Sequence, residues 1–224
     1  MKRGVGVRRA VVAVATAGLL AGCGGGPEGV TTKVLSRADL ADATLGEDAE
    51  GFQFTEPKDP RVVSGRPACG NVGSVFVNRT RPEPEAQLTT AGADDRMPRE
   101  SHFGLLRLVV QAHTYVGAKK TMRTFRKDLA DCVPYDSQRG QRMKAVRDEV
   151  ADGLGDEALG YRLVAGRTEL KREQSTVVAV VRAGSVVMVA FGESVDAEAK
   201  SVRDVRESLE RVMRAQIDRL PRAE

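Results

Sequence analysis

Apolar residues recur at helical spacing in three segments of the chain. The segment Gly117 to Cys132 carries them at offsets of four, three, four and three, which predicts an amphipathic helix with Cys132 at the end of its buried side. A second stripe predicts a helix from Asp196 to Leu220, and its seven apolar positions favour a sheet-covering helix over a coiled-coil surface. Leu35 to Leu45 predicts a short helix with Ser36 as its N-cap.

Strand patterns dominate the second half of the chain. Residues 175–192 hold two valine-rich runs joined at a turn that contains Gly184, which predicts a β-hairpin. Its runs are unbroken by polar residues, so both faces of these strands are expected to be at least partly covered. Further strands are predicted at 141–150 and 161–165, with the glycine-rich turn GLGDEALG between them.

Residues 102–115, HFGLLRLVVQAHTY, alternate in the manner of a half-buried strand. One face carries apolar residues and the other carries a polar row, which is a candidate ligand groove. The members of this row are Arg107, Gln111, His113 and Tyr115. The alternative is that the row is simply solvated, as on many antiparallel sheets.

In two segments the apolar residues follow neither the helical nor the strand spacing. Residues 46–61 are acidic and rich in turn residues, and they are interpreted as irregular. Residues 78–100 carry three prolines and are interpreted as a long surface loop, which is either functional or mobile. Together with the helices and strands, this pattern predicts an α+β domain: an antiparallel sheet with helices packed on one face.

The N-terminus has the layout of an export signal. Four basic residues precede an apolar stretch from Ala10 to Leu20, which is shorter than the roughly 20 residues of a spanning helix. Leu20-Ala21-Gly22-Cys23 then resembles a bacterial lipobox, which implies removal of residues 1–22 and attachment of lipid such as palmitate to Cys23. The alternative is an ordinary secretory signal with a chance cysteine. Residues 23–33 are interpreted as a flexible tether and 34–224 as a single domain.

Removal of the signal changes the charge. The whole chain has 35 basic and 31 acidic residues, and four of the basic ones lie in the signal, so 31 of each remain. A formally neutral domain does not favour nucleic acid as a partner.

The cysteine count supports an oxidising compartment. With Cys23 lipidated, Cys69 and Cys132 form an even pair, and we expect a disulfide between them. A metal site is the competing interpretation, but two cysteines without nearby histidines fall short of four zinc ligands. No cofactor is expected.

The order of these segments resembles a known family, the PknH-like extracellular sensor domains of actinobacteria, found on receptor Ser/Thr kinases and as free-standing lipoproteins. The matching parts are LSRADL, a cysteine at 69, QAHTYVGAKKTMRTFRKDLADC, GLGDEALGYR, VVAVVRAGSVVMVAFG and the closing helix. The resemblance implies a sheet whose concave groove binds a ligand, with no catalytic activity. The kinase-borne sensor domain has two disulfides, whereas this chain offers one pair, so the ligand preference does not carry across.

Catalytic patterns are weak. His102 and His113 lie outside any metal-ligand motif, and the adjacent carboxylates Asp156 and Glu157 are expected to point apart on a turn.

The leading hypothesis is therefore a lipid-anchored, non-enzymatic sensor-like module on the extracellular face of the cell membrane, which binds an unknown small ligand. The alternative is an interaction or structural lipoprotein whose partner is another envelope protein. An exported hydrolase is the third class.

Overall fold

The computed structural model describes residues 29–46, 52–55, 84–94, 105–136, 142–166, 174–194 and 199–223. These residues form helices α1 (Arg37–Ala43), α2 (Tyr115–Asp131) and α3 (Ala199–Arg219). Their strands are β1 (Phe52–Thr55), β2 (Ala86–Asp94), β3 (Leu105–Ala112), β4 (Tyr135–Asp136), β5 (Arg142–Asp148), β6 (Glu157–Gly166), β7 (Gln174–Ala183) and β8 (Val186–Ser194).

All eight strands belong to one antiparallel sheet. Their spatial order is β1-β2-β3-β8-β7-β6-β5-β4, so the β7–β8 hairpin lies in the middle. Val180 of β7 is paired with Val189 of β8, and both are buried. The α+β class with an antiparallel sheet and the predicted hairpin are confirmed.

The sheet is covered on both faces. One face packs against α1 and α3, through residues such as Leu40 and Leu209. The other face packs against α2, through Ala118, Met122 and Phe125. The prediction that the helices pack on one face is therefore wrong. The physical reason is that alternate valines of β7 and β8 point to opposite sides, and each apolar side requires its own cover.

Two further predictions are corrected by the strands at one edge. Residues 86–94, interpreted as part of a surface loop, form β2, which pairs with both β1 and β3. Residues 52–55, interpreted as irregular, form β1. Backbone pairing on two sides holds β2 in the sheet although its sequence, AQLTTAGAD, shows no apolar alternation.

The first helix begins as predicted. The Ser36 side chain accepts a hydrogen bond from the Asp39 backbone, and the Asp39 side chain accepts one from the Ser36 backbone, which completes a capping box. Leu35 and Leu40 are both buried in the core on that side of the sheet.

The N-terminal segment 29–33 is part of the domain, so the predicted boundary at residue 34 is placed too late. Thr31 is buried, its backbone N–H donates to Pro221, and its carbonyl accepts from the backbone of Ser185. Gly184 has a φ of +58° and lies so close to the Thr31 carbonyl that a Cβ would clash with it. These contacts fix the segment against the β7–β8 turn and the C-terminus.

Within the described residues, no helix is both long and apolar enough to cross a membrane.

Candidate functional site

The predicted polar row is only partly brought together. Arg107 and Gln111 lie on β3, on the α2 side of the sheet, and both are half-buried. His113 follows the strand on the same side. Tyr115 does not continue the row, because Thr114 caps α2 by accepting a hydrogen bond from the Gly117 backbone, and Tyr115 is the first residue of that helix. The prediction that the strand runs to Tyr115 is corrected.

A short chain of hydrogen bonds joins the row to the neighbouring strand. Gln111 Nε2 donates to Gln87 Oε1 at 2.6 Å, and Gln111 Oε1 lies 3.4 Å from His113 Nε2. Arg107 lies with its guanidinium 5.9 Å from the centre of the Phe191 ring. The site is therefore a polar strip on β2 and β3, next to the apolar core under α2. We call Arg107, Gln87, Gln111 and His113 the β3 strip.

His113 is the most deeply buried member of the β3 strip. It is 1% exposed, and its Nδ1 has no hydrogen-bond partner among the described residues. Burial lowers the pKa of His113 to about 4, because the apolar surroundings disfavour the imidazolium. At neutral pH the ring is uncharged and can either donate or accept a hydrogen bond at a ligand.

The buried imidazole predicts acid sensitivity. The unfolded chain binds a proton near pH 6.5 and the folded chain only near pH 4, so the free energy of unfolding decreases as pH falls through that window. The expected loss is about 2 kcal/mol between pH 7 and pH 5. Urea unfolding at several pH values measures it. His113→Gln is expected to flatten the profile in this window, and parallel profiles for the two proteins would contradict the assignment.

A second cluster of polar groups surrounds Arg182, whose side chain is 5% exposed. Its guanidinium donates to Asp156 Oδ2 at 2.7 Å, to Glu157 Oε1 at 2.9 Å and to the Gly184 carbonyl at 3.0 Å. The two carboxylates therefore converge on one arginine, and the expectation that they point apart is wrong. Gly155, with a φ of +60°, turns the chain against the Arg182 carbonyl and brings Asp156 into reach.

The surroundings of Glu157 decide its charge. Burial raises the pKa of this carboxyl, but hydrogen bonds and charge from Arg126 and Arg182 together outweigh it, so the pKa is lowered. Arg126 of α2 donates to Glu157 Oε2 at 2.8 Å. Arg182 also lies 5.5 Å from the centre of the Tyr115 ring. These ion pairs connect α2 to the β6–β7 end of the sheet, and both carboxylates of the cluster are paired with arginines.

A third ionic group lies on the opposite side of the sheet. The fully buried Asp148 side chain accepts a hydrogen bond from Arg206 of α3 and forms an ion pair with Arg162, whose Nε lies 2.8 Å from Asp148 Oδ2. This contact ties α3 to β5 and β6. Sequence reasoning missed it, because no local spacing connects residues that are 58 positions apart.

A groove on the surface of the described residues lies elsewhere. It has a volume of about 340 Å³ and runs along the outer side of α3. It is lined by Glu207, Glu210, Arg211, Arg214, Ala215 and Asp218. None of these belongs to the β3 strip, so the two regions are distinct candidates.

The cysteines are only partly described. Cys132 is the C-cap of α2 and is half-buried, and the structure records it as disulfide-bonded. Cys69, its predicted partner, and Cys23, the predicted lipidation site, lie outside the described residues, as does His102. The pairing therefore stays a prediction. Within the described part of the chain, no group of three His, Cys, Asp or Glu side chains is arranged to hold a metal ion.

No protein-family model matches the chain, and a search of the curated proteins gives no match.

Proposed function

We propose that this protein is a lipid-anchored module outside the cytoplasm whose non-catalytic domain binds a ligand at the β3 strip. The anchor is supported by the signal-like N-terminus and the lipobox-like segment that ends in Cys23. The resemblance to PknH-like sensor domains supports the same interpretation. The observation that carries the ligand-binding part is the buried Nδ1 of His113, which has no hydrogen-bond partner among the described residues and lies at the end of a half-buried polar strip.

The chemistry of the β3 strip favours a small polar ligand. Amide groups of Gln87 and Gln111 provide both donors and acceptors, and the neutral imidazole adds one more of either kind. The adjoining apolar residues, Val109 and Phe191, belong to the core under α2. Small-molecule sites commonly combine an apolar wall with a few placed polar groups.

Native mass spectrometry of the protein extracted from the cell envelope tests ligand binding. We expect a small molecule to travel with the wild-type protein and to be lost from Gln111→Leu, which removes the hydrogen bonds to Gln87 and His113. Lys144→Ala, an exposed change on β5, is the matched control and should retain the molecule. Equal retention by both variants would place binding outside the β3 strip.

The lipid anchor has its own test. Cys23→Ser is expected to abolish a diacylglyceryl-modified N-terminal peptide and to move the protein from the detergent phase to the aqueous phase, because the acyl chains supply the membrane affinity. Mass spectrometry of that peptide and phase partitioning measure the two effects. Cys69→Ser should leave the lipid in place. An unmodified wild-type peptide that starts elsewhere would contradict the anchor.

The groove on α3 favours a second candidate, an interaction or structural lipoprotein. Its walls carry both acidic and basic side chains, which is suited to a charged segment of another envelope protein rather than to a small apolar molecule. Under this candidate, Arg214→Glu reduces cross-linking to the partner, whereas Gln111→Leu leaves it unchanged.

A further inference from the structure

One end of the domain gathers the N-terminal segment, the β7–β8 turn and the start of α2. The Ser185 backbone N–H donates to Thr31, its side chain donates to Lys33, and its carbonyl accepts from the His113 backbone. Because α2 begins two residues after His113, its first turn lies at this same end. Residues 29–33 therefore mark the end of the domain to which any N-terminal anchor is attached.

The distance from the anchor to the domain is short. Six Cα–Cα steps separate Cys23 from Gly29, which allows at most about 20 Å when extended. A flexible glycine-rich chain of this length averages about 13 Å from end to end. A domain of this size has a radius of gyration of about 16 Å. A lipid on Cys23 thus keeps this end of the domain close to the bilayer surface.

This end also exposes apolar side chains. Val116 is 70% exposed, and Val34 and Tyr115 are exposed as well. These are three of the five large exposed apolar residues identified in the described part of the chain. Exposed apolar side chains on a surface that faces a bilayer can enter the boundary between headgroups and acyl chains.

The charges around these residues are mainly basic. Lys33 and Lys120 are exposed, and Lys119 lies with its Nζ 4.6 Å from the centre of the Tyr115 ring. The first turn of α2 contains no acidic residue, although carboxylates stabilise that end of a helix. Asp156 and Glu157 are paired with Arg182, whereas Asp39, which contacts Ser36, and Glu85, beside the end of β3, are exposed carboxylates near this end. The set complements a negatively charged surface.

We propose that this end of the domain, carrying Val34, Tyr115 and Val116 among Lys33, Lys119 and Lys120, docks on the surface of an anionic phospholipid bilayer. The proposal rests on the proposed lipid anchor for its geometry. It fixes the orientation of the domain: the α2 N-terminus faces the membrane, and the α2 C-terminus with Val133 faces away. The α2 axis, about 25 Å long, separates the two.

The chain contains no tryptophan, so a single introduced tryptophan reports depth in the membrane. Val116→Trp and Val133→Trp are matched probes, because both valines are highly exposed and they lie at opposite ends of α2. The lipidated, mature full-length protein is reconstituted into vesicles of phosphatidylcholine alone or of equal parts phosphatidylcholine and phosphatidylglycerol, with brominated acyl chains as quenchers. We expect several-fold stronger quenching of the probe at 116 than of the probe at 133, and a larger difference with phosphatidylglycerol. Equal quenching at both positions would overturn the proposal.

The lysines are tested with protein that carries Cys23→Ser. Its partitioning to phosphatidylglycerol vesicles is expected to fall about fivefold for each of Lys119→Gln and Lys120→Gln. Lys127→Gln, an exposed change two turns further along α2, should have little effect. If the wild-type protein has no lipid but its vesicle binding still depends on these lysines, the proposed anchor is contradicted and the proposed docking surface is supported. If the lipid is present and quenching does not differ between the probes, the docking surface is contradicted and the anchor is supported.

Discussion

Arg182→Met is expected to lower the free energy of unfolding by about 3 to 4 kcal/mol. The change removes a nearly buried guanidinium that donates to Asp156, Glu157 and the Gly184 carbonyl. Methionine fills much of the volume but donates no hydrogen bond, so two carboxylates lose a common cation and a turn carbonyl loses its donor. Equilibrium unfolding in urea at neutral pH measures the loss.

Arg126→Met is the matched control for this prediction. Arg126 binds the same Glu157, but its side chain is 45% exposed, and exposed ion pairs contribute about 1 kcal/mol or less. Adding Asp156→Asn and Glu157→Gln to Arg182→Met should recover part of the loss, since the uncompensated charges are then absent. Equal effects of Arg182→Met and Arg126→Met would show that burial of the guanidinium contributes little.

The strongest apolar periods in the sequence were sufficient to predict the central elements. Residues 175–192 predicted a hairpin, and the structure has β7 and β8 over Gln174–Ala183 and Val186–Ser194. The stripe from Ala118 to Cys132 predicted α2, of which Ala118, Met122 and Phe125 are buried. These predictions succeeded because a residue buried on a regular element must recur at the period of that element.

The edge of the sheet could not be predicted in this way. β2 has threonine, alanine and glycine in place of alternating large apolar residues, and its position depends on pairing with β1 and β3. Residues 29–33 have the composition of a linker, yet Thr31 is held by the β7–β8 turn and Pro221. In both cases the stabilising partners are distant in sequence, so no local pattern reveals them.

The candidate site also combines features that the local sequence predicts with features that it does not. Alternation predicts Arg107, Gln111 and His113 on one side of the sheet, as the structure has them. It also predicts that the strand continues to Tyr115, whereas the strand ends at Ala112. The signal that ends the strand is Thr114, a helix N-cap whose side chain binds Gly117. Convergence of Asp156 and Glu157 on Arg182 depends on the positive φ of Gly155 and on the hairpin, which strand spacing does not encode.

Loss of the Cys69–Cys132 disulfide is expected to lower the free energy of unfolding by about 4 kcal/mol in the chain-entropy model, because the bond closes a loop of 63 residues in the unfolded chain. Cys132 lies at the end of α2, so the bond also restrains the helix that covers the second face of the sheet. Cys132→Ser measured by urea unfolding, with the wild-type protein under reducing conditions alongside, tests the size of the effect.

A double-mutant cycle distinguishes a disulfide between Cys69 and Cys132 from two cysteines that are not bonded to each other. If Cys69 and Cys132 are joined, either substitution to serine removes the whole bond, and the double variant is no less stable than either single one. If they are not joined, each substitution acts only through its local surroundings, and the two small losses add. Because Cys23 is the predicted lipidation site, Cys23→Ser should leave this cycle unchanged, whereas pairing of Cys132 with Cys23 would make that variant as unstable as Cys132→Ser.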